Sequence, residues 1–311
     1  MKFSCHFPLG ALIFDPNGLR FVRVQRIHHA WLCSLATGAA TVDGVHPIER
    51  LRYVARASED AGPSLLVREA AGALASFSSD PAALVTACRR LVDRQPQAGA
   101  IWWLAARVLG SPDPAFEAWS AAEEVESDQT PLLLVEHLPE AATVVVLGWP
   151  ELIAPALAKR GDLDVLVVDT ADQGHGLARR LDRLGNNSTL VDERGLGAAV
   201  GAADLVLIEA QSFGGSGATA LPGSRAAAAV ALAAAIPVWT VVGVGRVLPG
   251  RMWDAYLGRL DESADPWDGD LEFIPANLLG IIAGPRGLQT VAETLLRADC
   301  PVAPELLKSI Q

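Results

Sequence analysis

The sequence predicts an α/β fold in which an N-terminal helical domain precedes a Rossmann-like parallel sheet domain covered by helices on both faces. Two observations support this prediction. From residue 143 onward, short runs rich in Val, Ile and Leu alternate with helical segments, a pattern typical of parallel strands buried on both sides. Before residue 130, apolar residues recur with a helical period and β-branched runs are absent from the sequence.

The change of pattern near Thr130 divides the 311 residues into three parts. Residues 1–45 show no sustained period and are expected to be a poorly ordered extension; residues 46–130 form the helical domain, and residues 131–311 the Rossmann-like domain. Residues 20–40 imitate a secretion signal, but this basic and then apolar stretch starts too far from Met1. We favour a dispensable extension over an export signal and expect a chain starting near Val45 to keep its melting temperature.

The helical domain is predicted to contain five helices. Asp80-Pro81 is a good N-cap and first-turn pair for the third of them. At least one of three tryptophans in the fourth and fifth helices should face the core, because aromatic residues bury large apolar areas. These are Trp102, Trp103 and Trp119. The first helix carries its apolar residues at Ile48, Leu51 and Val54.

The second half of the chain is predicted to supply parallel strands with helices between them. The most informative segment, residues 204–246, contains an apolar strand, a small-residue loop, an alanine-rich helix, a second apolar strand and a glycine turn ending in Arg246. This order is typical of one βαβ unit. The strands are expected at 143–149, 164–170, 188–192, 204–210 and 237–243.

Composition excludes several classes of protein. The chain has 36 acidic and 25 basic residues, a net charge of −11, which argues against a nucleic-acid surface. No apolar run is long enough to span a bilayer, so we predict no membrane insertion and a cytoplasmic location. The four cysteines have no metal-ligand spacing, and no Walker or dinucleotide fingerprint is complete, so no metal and no cofactor are predicted.

Ligands of parallel sheets bind at the carboxyl ends of the strands, and the polar and glycine residues there define a predicted ligand site. Glycine amides can approach a phosphate closely. Arg246 could hold a phosphate bidentately, in which case its replacement by Ala weakens binding with little effect on stability; the alternative is a surface salt bridge. The predicted ligand-binding residues are Gly148, Asp169, Gln211, Gly214, Gly215, Gly217, Ser224 and Arg246.

Three residues at these strand ends are candidates for acid/base catalysis: Glu209, Asp169 and His175. A carboxylate at an apolar strand end can have its pKa raised towards neutrality. The alternative for Glu209 is a structural hydrogen bond to neighbouring amides, and the alternative for Asp169 is a helix cap. His175 lies near the same edge, but the sequence assigns it no partner acid.

Residues 47–308 resemble the family that unites the regulatory subunits of translation initiation factor 2B with methylthioribose-1-phosphate isomerase and ribose-1,5-bisphosphate isomerase. VVVLGWPELIAPALAKRG is similar to the family's opening strand and helix, and VDTADQGHGLARRL to its Val-Asp-Glu-Thr-Arg-Pro stretch. DLVLIEAQSFGGSGATALPGS and FIPANLLGIIAGPRG match two further elements. The resemblance implies a NagB/RpiA/CoA-transferase-like fold in a divergent bacterial member.

The departures from the family pattern concern its reactive residues. The resemblance implies that the isomerase cysteine falls within Gly148-Trp149 and that the isomerase aspartate falls on Gln211. A glutamine cannot act as a general acid at neutral pH. Leu221-Pro222 replaces an Asn-Lys pair, while Gly217, Gly223 and Ser224 keep the backbone pattern.

Two functions therefore remain open at this point. The first is a pseudoenzyme, a non-catalytic ligand-binding or assembly protein that senses a phosphorylated sugar or nucleotide. The alternative is an aldose–ketose phosphosugar isomerase with relocated acid/base residues. A weaker third hypothesis is a protein that acts on the translation machinery through a protein partner. Because family members dimerise through the C-terminal domain, we also expect a homodimer, with Trp253 and Tyr256 of segment 251–260 at its interface.

Overall fold

The computed structural model describes residues 63–260, residue 265 and residues 267–307. The predicted extension and the predicted helix around Ile48 and Val54 lie outside the described residues. Helices come first along the described chain, followed by strands that alternate with helices, as the α/β prediction requires. The first five helices are α1 (Pro63–Ala75), α2 (Pro81–Arg94), α3 (Gly99–Gly110), α4 (Pro114–Glu126) and α5 (Thr130–His137).

These helices begin where the sequence provides caps. The carboxylate of Asp80 accepts hydrogen bonds from the amides of Ala82 and Ala83, both at 3.0 Å, and Pro81 occupies the first turn of α2. Helix α3 is apolar around its circumference and lies in the centre of its core, where Trp102 and Trp103 are completely buried. The prediction of a buried tryptophan in this region is confirmed.

The remaining elements build the sheet and its covering helices. They are β1 (Thr143–Leu147), α6 (Ile153–Lys159), β2 (Asp164–Val168), α7 (Gly174–Arg183), β3 (Asn187–Val191), α8 (Leu196–Gly201), β4 (Leu205–Gly214), β5 (Gly217–Ala220), α9 (Ser224–Ala233), β6 (Val238–Val241), α10 (Gly250–Leu260), β7 (Glu272–Pro275), β8 (Ile281–Gly284), β9 (Gly287–Gln289) and α11 (Val291–Leu296). Short 3₁₀ helices lie at Thr170–Asp172, Glu193–Gly195, Ala276–Leu278 and Pro304–Leu306.

The main sheet has the strand order β3-β2-β1-β4-β6-β8-β9 and is parallel from β3 to β8. Helices α5, α6 and α7 cover one face, and α8 and α9 cover the other. The chain runs outward from β1 to β3 and returns to β4, so the direction of winding changes between β1 and β4. Ligand crevices of open α/β sheets form at such a point.

The sheet differs from the prediction in being mixed. Strand β9 is antiparallel to β8, and β4 continues past the predicted strand end to form an antiparallel hairpin with β5, which in turn pairs with β7. The predicted small-residue loop is therefore largely strand. Its small side chains are needed because other elements lie against the hairpin: a methyl group on Gly214 would overlap the Trp253 ring, and one on Gly217 would overlap the carbonyl oxygen of Ile274.

Helix α10 confirms the predicted helix over 251–260, but the predicted role of its aromatic residues in a dimer interface is wrong. Trp253 and Tyr256 are 1% and 0% exposed within the single chain. Their rings stack at 5.3 Å, and Trp102 packs edge-on against Tyr256 at 5.9 Å. The apolar face of α10 is already covered by α3 and the β4–β5 hairpin, which leaves neither ring for a partner.

No helix among the described residues is long and apolar enough to cross a membrane.

Candidate functional site

The candidate site lies at the carboxyl ends of β1 and β2, where the loop before α9 also arrives. We call this surface the crevice and define it by Gly148, Trp149, Asp169, Thr170, Gln173, His175, Leu221 and Gly223. The side chains of Leu221 and Gln173 both approach the backbone of Gly148, which joins the three segments. The predicted site residues Gly148, Asp169 and His175 are therefore brought together.

Gly148 ends β1 in a conformation that favours glycine. Its φ is 59°, in the left-handed region, and its amide donates to the carbonyl of Val168 at 2.9 Å. A side chain there would be strained and would also meet Leu221 and Gln173. The chain can consequently turn sharply after β1 and place Trp149 at the edge of the crevice.

Asp169 and His175 form a hydrogen-bonded pair. Oδ1 of Asp169 accepts from the amides of Gly174 (2.8 Å) and His175 (3.3 Å), which caps α7, while Oδ2 lies 2.7 Å from Nδ1 of His175. A carboxylate can only accept, so Nδ1 carries the proton in the neutral imidazole and Nε2 is an acceptor. The His175 side chain is 58% exposed, and no described residue bonds to Nε2. This orientation is suited to binding a hydroxyl or moving a proton.

The turn between these two residues is held in an uncommon conformation. Ala171 and Asp172 have φ values of 53° and 58°, although neither is glycine. Each such residue costs on the order of 1 kcal/mol. The turn brings the amino end of α7 back to Asp169. From sequence, capping a helix was an alternative to a role in the site, but in the structure Asp169 both caps α7 and pairs with His175.

Trp149 forms one wall of the crevice. Its ring packs against the backbone of Gly176 in α7, so closely that a methyl group on Gly176 would overlap it, yet the residue is 43% exposed. A partly exposed indole supported by a helix offers an apolar surface for a sugar ring or a base. Thr170 lies at the base of the crevice: it is 2% exposed and its hydroxyl has no hydrogen-bond partner among the described residues.

Arg246 and Glu209 have a different environment from the one expected of ligand-binding or catalytic groups. Nη1 of Arg246 donates to Glu209 Oε1 (3.0 Å) and to the Ala210 carbonyl (2.8 Å), and Nη2 donates to Glu151 Oε2 (3.0 Å). The Arg246 side chain is 5% exposed and that of Glu209 is 6% exposed. The guanidinium is thus neither a surface salt bridge nor open to a phosphate in this structure.

The second oxygen of Glu209 is also used by the protein. Glu209 Oε2 accepts from the amides of Leu152 and Ile153 at 2.8 and 3.2 Å. This is the structural hydrogen bond to neighbouring amides that the sequence left open as an alternative. Glu151 continues the network, because its Oε1 accepts from the amide and the hydroxyl of Ser64 in α1 at 3.3 and 2.9 Å. The network therefore joins the helical region to the sheet.

The amino end of α9, where Ser224 is a predicted ligand-binding residue, holds a carboxylate of the chain itself. Glu272 Oε1 accepts from the amide of Arg225 at 2.7 Å and also faces the amides of Gly223 and Ser224. Burial raises the pKa of Glu272 above its ordinary value, and these amides oppose the rise. Ser224 is 2% exposed. A side-chain anion thus satisfies the helix terminus that a ligand anion was expected to occupy.

The other predicted ligand residues lie in the β4–β5 hairpin. Gly214 and Gly217 are buried against Trp253 and β7, whereas Gly215 is exposed at the turn with open space around it. Gln211 is half-buried, and its side chain has no hydrogen-bond partner among the described residues. Their role in ligand binding stays a prediction, with packing as the observed role of the two buried glycines.

Sequence reasoning missed several residues of the site and its surroundings: Thr170, Gln173, Glu151 and Glu272. Thr170 and Gln173 carried a usable signal, since they flank the turn after β2 between Asp169 and His175. Glu272 carried none, because it lies 47 residues from Arg225 along the chain. A separate shallow recess, away from the crevice, lies between α5 and β8–β9. Among the described residues, no cluster of His, Cys, Asp and Glu is suited to a metal ion.

Solved structures with a similar fold were found. The translation initiation factor eIF-2B of Pyrococcus horikoshii OT3 superposes with a TM-score of 0.66 at 14% identity, over 80% of this chain and 98% of that one. The chain has the fold of the initiation factor 2B subunits. A chain of the tetrameric eIF2B-beta2-delta2 complex from C. thermophilum gives 0.65 at 16% identity, covering 80% and 92%. 5-Methylthioribose 1-phosphate isomerase from Pyrococcus horikoshii OT3 gives 0.55 at 16% identity, covering 79% and 87%.

These likenesses confirm the predicted eIF2B-like fold. No protein-family model and no curated sequence matches the chain.

Proposed function

We propose that this protein is a non-catalytic ligand-binding or assembly protein of eIF2B-like fold that senses a phosphorylated sugar or nucleotide. The observation that supports this proposal is the buried pair of Arg246 and Glu209. Glu209 is the strand-end acid predicted from sequence as a catalyst, and both of its carboxylate oxygens accept hydrogen bonds from other groups of the protein. Gly148-Trp149 stands where the resemblance placed the isomerase cysteine. The groups left for a ligand are therefore suited to binding.

In this proposal the ligand lies over the crevice. Trp149 supplies the apolar wall and Nε2 of His175 a polar contact. Arg246 has no part in this arrangement, and Ser224 contributes only if the ligand displaces Glu272.

A thermal-shift screen against phosphopentoses, phosphohexoses and nucleotides tests the proposal. A ligand at about 100 times its dissociation constant adds about 2.7 kcal/mol to the stability of the native state. Trp149→Ala should reduce the shift, whereas Trp119→Ala, which truncates another half-exposed tryptophan remote from the crevice in α4, should leave it unchanged. Equal effects of both substitutions would contradict the placement of the ligand.

The second candidate function is a phosphosugar isomerase with relocated acid/base residues. The hydrogen bond between His175 and Asp169 favours it, since an oriented imidazole with a free Nε2 is a competent general base. Any ligand that shifts the melting temperature should be incubated in D₂O and examined for aldose–ketose interconversion and for exchange of its carbon-bound hydrogen. Turnover that is lost in His175→Gln and kept in His137→Gln would establish the isomerase.

Two further outcomes separate these functions. Gln211→Asp restores the carboxylate implied by the resemblance, but we expect no activity from it because Gly148-Trp149 still lacks the cysteine. Loss of turnover in Glu209→Gln is informative only if the melting temperature is unchanged, because Glu209 also holds Arg246.

We also propose that the protein is a homodimer in the cytoplasm. One similar structure belongs to a tetrameric complex of related subunits, which supports self-association. Light scattering at micromolar concentration should give twice the chain mass of 32.7 kDa. The interface lies elsewhere than on Trp253 and Tyr256, whose side chains are enclosed by their own chain.

A further inference from the structure

Helix α7 leaves the crevice with a basic outer face. Arg179, Arg180 and Arg183 are all exposed, and no carboxylate of the described residues lies within ion-pair distance of any of them. His175, Arg179 and Arg183 follow one another at intervals of four residues, so they form a single stripe about 12 Å long. We call this stripe, with Arg180, the basic face.

The chain carries a net charge of −11, and several of its arginines pair with carboxylates, as in Arg68–Glu126, Arg107–Glu124 and Arg160–Asp162. Exposed arginines without an ion pair also occur elsewhere, but the basic face places three of them on one helix beside exposed leucines.

Three acids near the arginines of the basic face have partners other than these arginines. Asp169 bonds to His175 of the same stripe, Asp182 to the hydroxyl of Ser188, and Asp192 to Arg194. Like charges four residues apart destabilise a helix by a few tenths of a kcal/mol. The three arginines thus repel one another, and an anionic partner would remove that repulsion.

Exposed leucines flank the basic face. Leu184, directly after α7, is 57% exposed, and Leu190 of the edge strand β3, which packs against α7, is 37% exposed. Strand β3 pairs with β2 on one side only, within the described residues. The surface therefore combines positive charge, apolar side chains and free backbone groups of a strand edge, all of which a polypeptide can use at once.

We propose that the basic face, with Leu184 and Leu190, is a docking surface for an acidic, leucine-containing segment of a partner protein. Charge complementarity selects the acidic residues, and the leucines and the strand edge distinguish a peptide from a bare polyanion. The edge of an unpaired strand can bind an extended peptide through its main chain, which a nucleic acid cannot reproduce. His175 belongs both to the basic face and to the crevice, but the arginines and leucines that carry this proposal are not part of the crevice, so the proposal stands without the proposed sensor function.

The test uses the full chain and a fluorescein-labelled peptide of about six acidic residues flanked by leucines, which spans about 20 Å in extended form. Fluorescence anisotropy should show binding that weakens as salt rises from about 0.05 to 0.5 M, because surface charges are then screened. The double variant Arg179→Glu/Arg183→Glu should bind at least about tenfold more weakly. Leu190→Ser should also weaken binding of the peptide. Because leucine carries no charge, the dependence of binding on salt should stay the same in this variant.

A matched control is available in α2. Arg90 and Arg94 are likewise exposed, four residues apart, near a helix C-terminus and without an ion pair in the described residues, but no exposed leucine flanks them. Arg90→Glu/Arg94→Glu changes the net charge equally and should leave peptide binding unchanged. Arg179→Gln/Arg183→Gln removes the two charges without introducing acidic residues, and it should also weaken peptide binding. A melting curve for each variant shows whether weaker binding results from unfolding.

Three outcomes would overturn the proposal: no binding of the peptide by the wild type, equal loss in both double variants, or tighter binding of a single-stranded RNA of equal charge than of the peptide.

Discussion

Nη1 of Arg246 lies 3.0 Å from Oε1 of Glu209, and both side chains are almost completely enclosed by the protein. A charge pair at this depth is costly to form, but removing one partner costs more, because the remaining charge is left buried and unpaired. Arg246, predicted from sequence to bind phosphate, and Glu209, predicted as an acid/base catalyst, are thus ion-paired with each other inside the protein. Together they connect the sheet to the helical region, because Arg246 also donates to Glu151, which accepts from Ser64 of α1.

The first prediction concerns Arg246→Ala. Loss of the guanidinium removes the arginine donor from Glu209 Oε1, Glu151 Oε2 and the Ala210 carbonyl, and we expect the free energy of unfolding to fall by about 3–5 kcal/mol. Arg194→Ala breaks an ion pair with Asp192 whose arginine is 92% exposed, and should change the free energy of unfolding far less, because solvent screens this pair. Denaturant unfolding measures both. If Arg246→Ala instead weakened phosphate binding and left stability unchanged, the role predicted from sequence, binding of a phosphate by Arg246, would be supported.

Part of this structure is predictable from local sequence. Strands β1 and β2 are short runs of valine and leucine, and their carboxyl ends point to Gly148 and Asp169 because parallel strands share one edge. The hairpin was misread because Gly214, Gly215 and Gly217 are typical of a loop, whereas here two of them make room for Trp253 and β7.

The contacts between residues far apart in the chain could not be predicted, for a different reason. Glu209 meets Arg246 across 37 residues and Glu272 meets Arg225 across 47. No periodicity or motif relates residues so far apart, and a strand-end carboxylate looks the same in sequence whether a ligand or an arginine faces it. The pairing of Asp169 with His175 is local, but it depends on the left-handed backbone of Ala171 and Asp172, which the residue type of Ala171 disfavours.

The second prediction separates packing from ligand binding among the hairpin glycines. Gly214→Ala forces a methyl group into the Trp253 ring and should lower the free energy of unfolding by about 1–3 kcal/mol. Gly215→Ala meets open space within the same turn and should change stability by less than about 0.5 kcal/mol. Denaturant midpoints compare the two. Equal stability would mean that α10 does not press on the hairpin as described.

The third prediction concerns the two buried cysteines of the described residues. Burial raises the pKa of both Cys88 and Cys300 to about 12, so almost no thiolate forms near neutral pH. In a Cys5→Ser/Cys33→Ser background, a thiol reagent at about pH 7.5 should react with neither cysteine in the folded protein and with both in denaturant. Rapid labelling of a folded thiol would show that its part of the core opens.

The fourth prediction uses the pH dependence of two carboxylates at helix amino ends. Burial raises the pKa of Glu272, so its folded value lies above its unfolded value of about 4.3. The stability it contributes is therefore fully present below the unfolded pKa and is lost as pH rises through the folded pKa. The stability advantage of the wild type over Glu272→Gln should be greatest in acid and should decline towards neutral pH.

Glu293 provides the control of opposite sign. Hydrogen bonds from the amide and hydroxyl of Thr290 lower its pKa, in the capping box that begins α11. Its contribution is present above the unfolded pKa and is lost as pH falls through the folded pKa, so the advantage of the wild type over Glu293→Gln should grow from acid to neutral pH. Urea unfolding of the wild type and both variants at several pH values between about 3 and 7 gives the two slopes. Slopes of the same sign would show that the amides at the amino end of α9 lower the pKa of Glu272 by more than burial raises it.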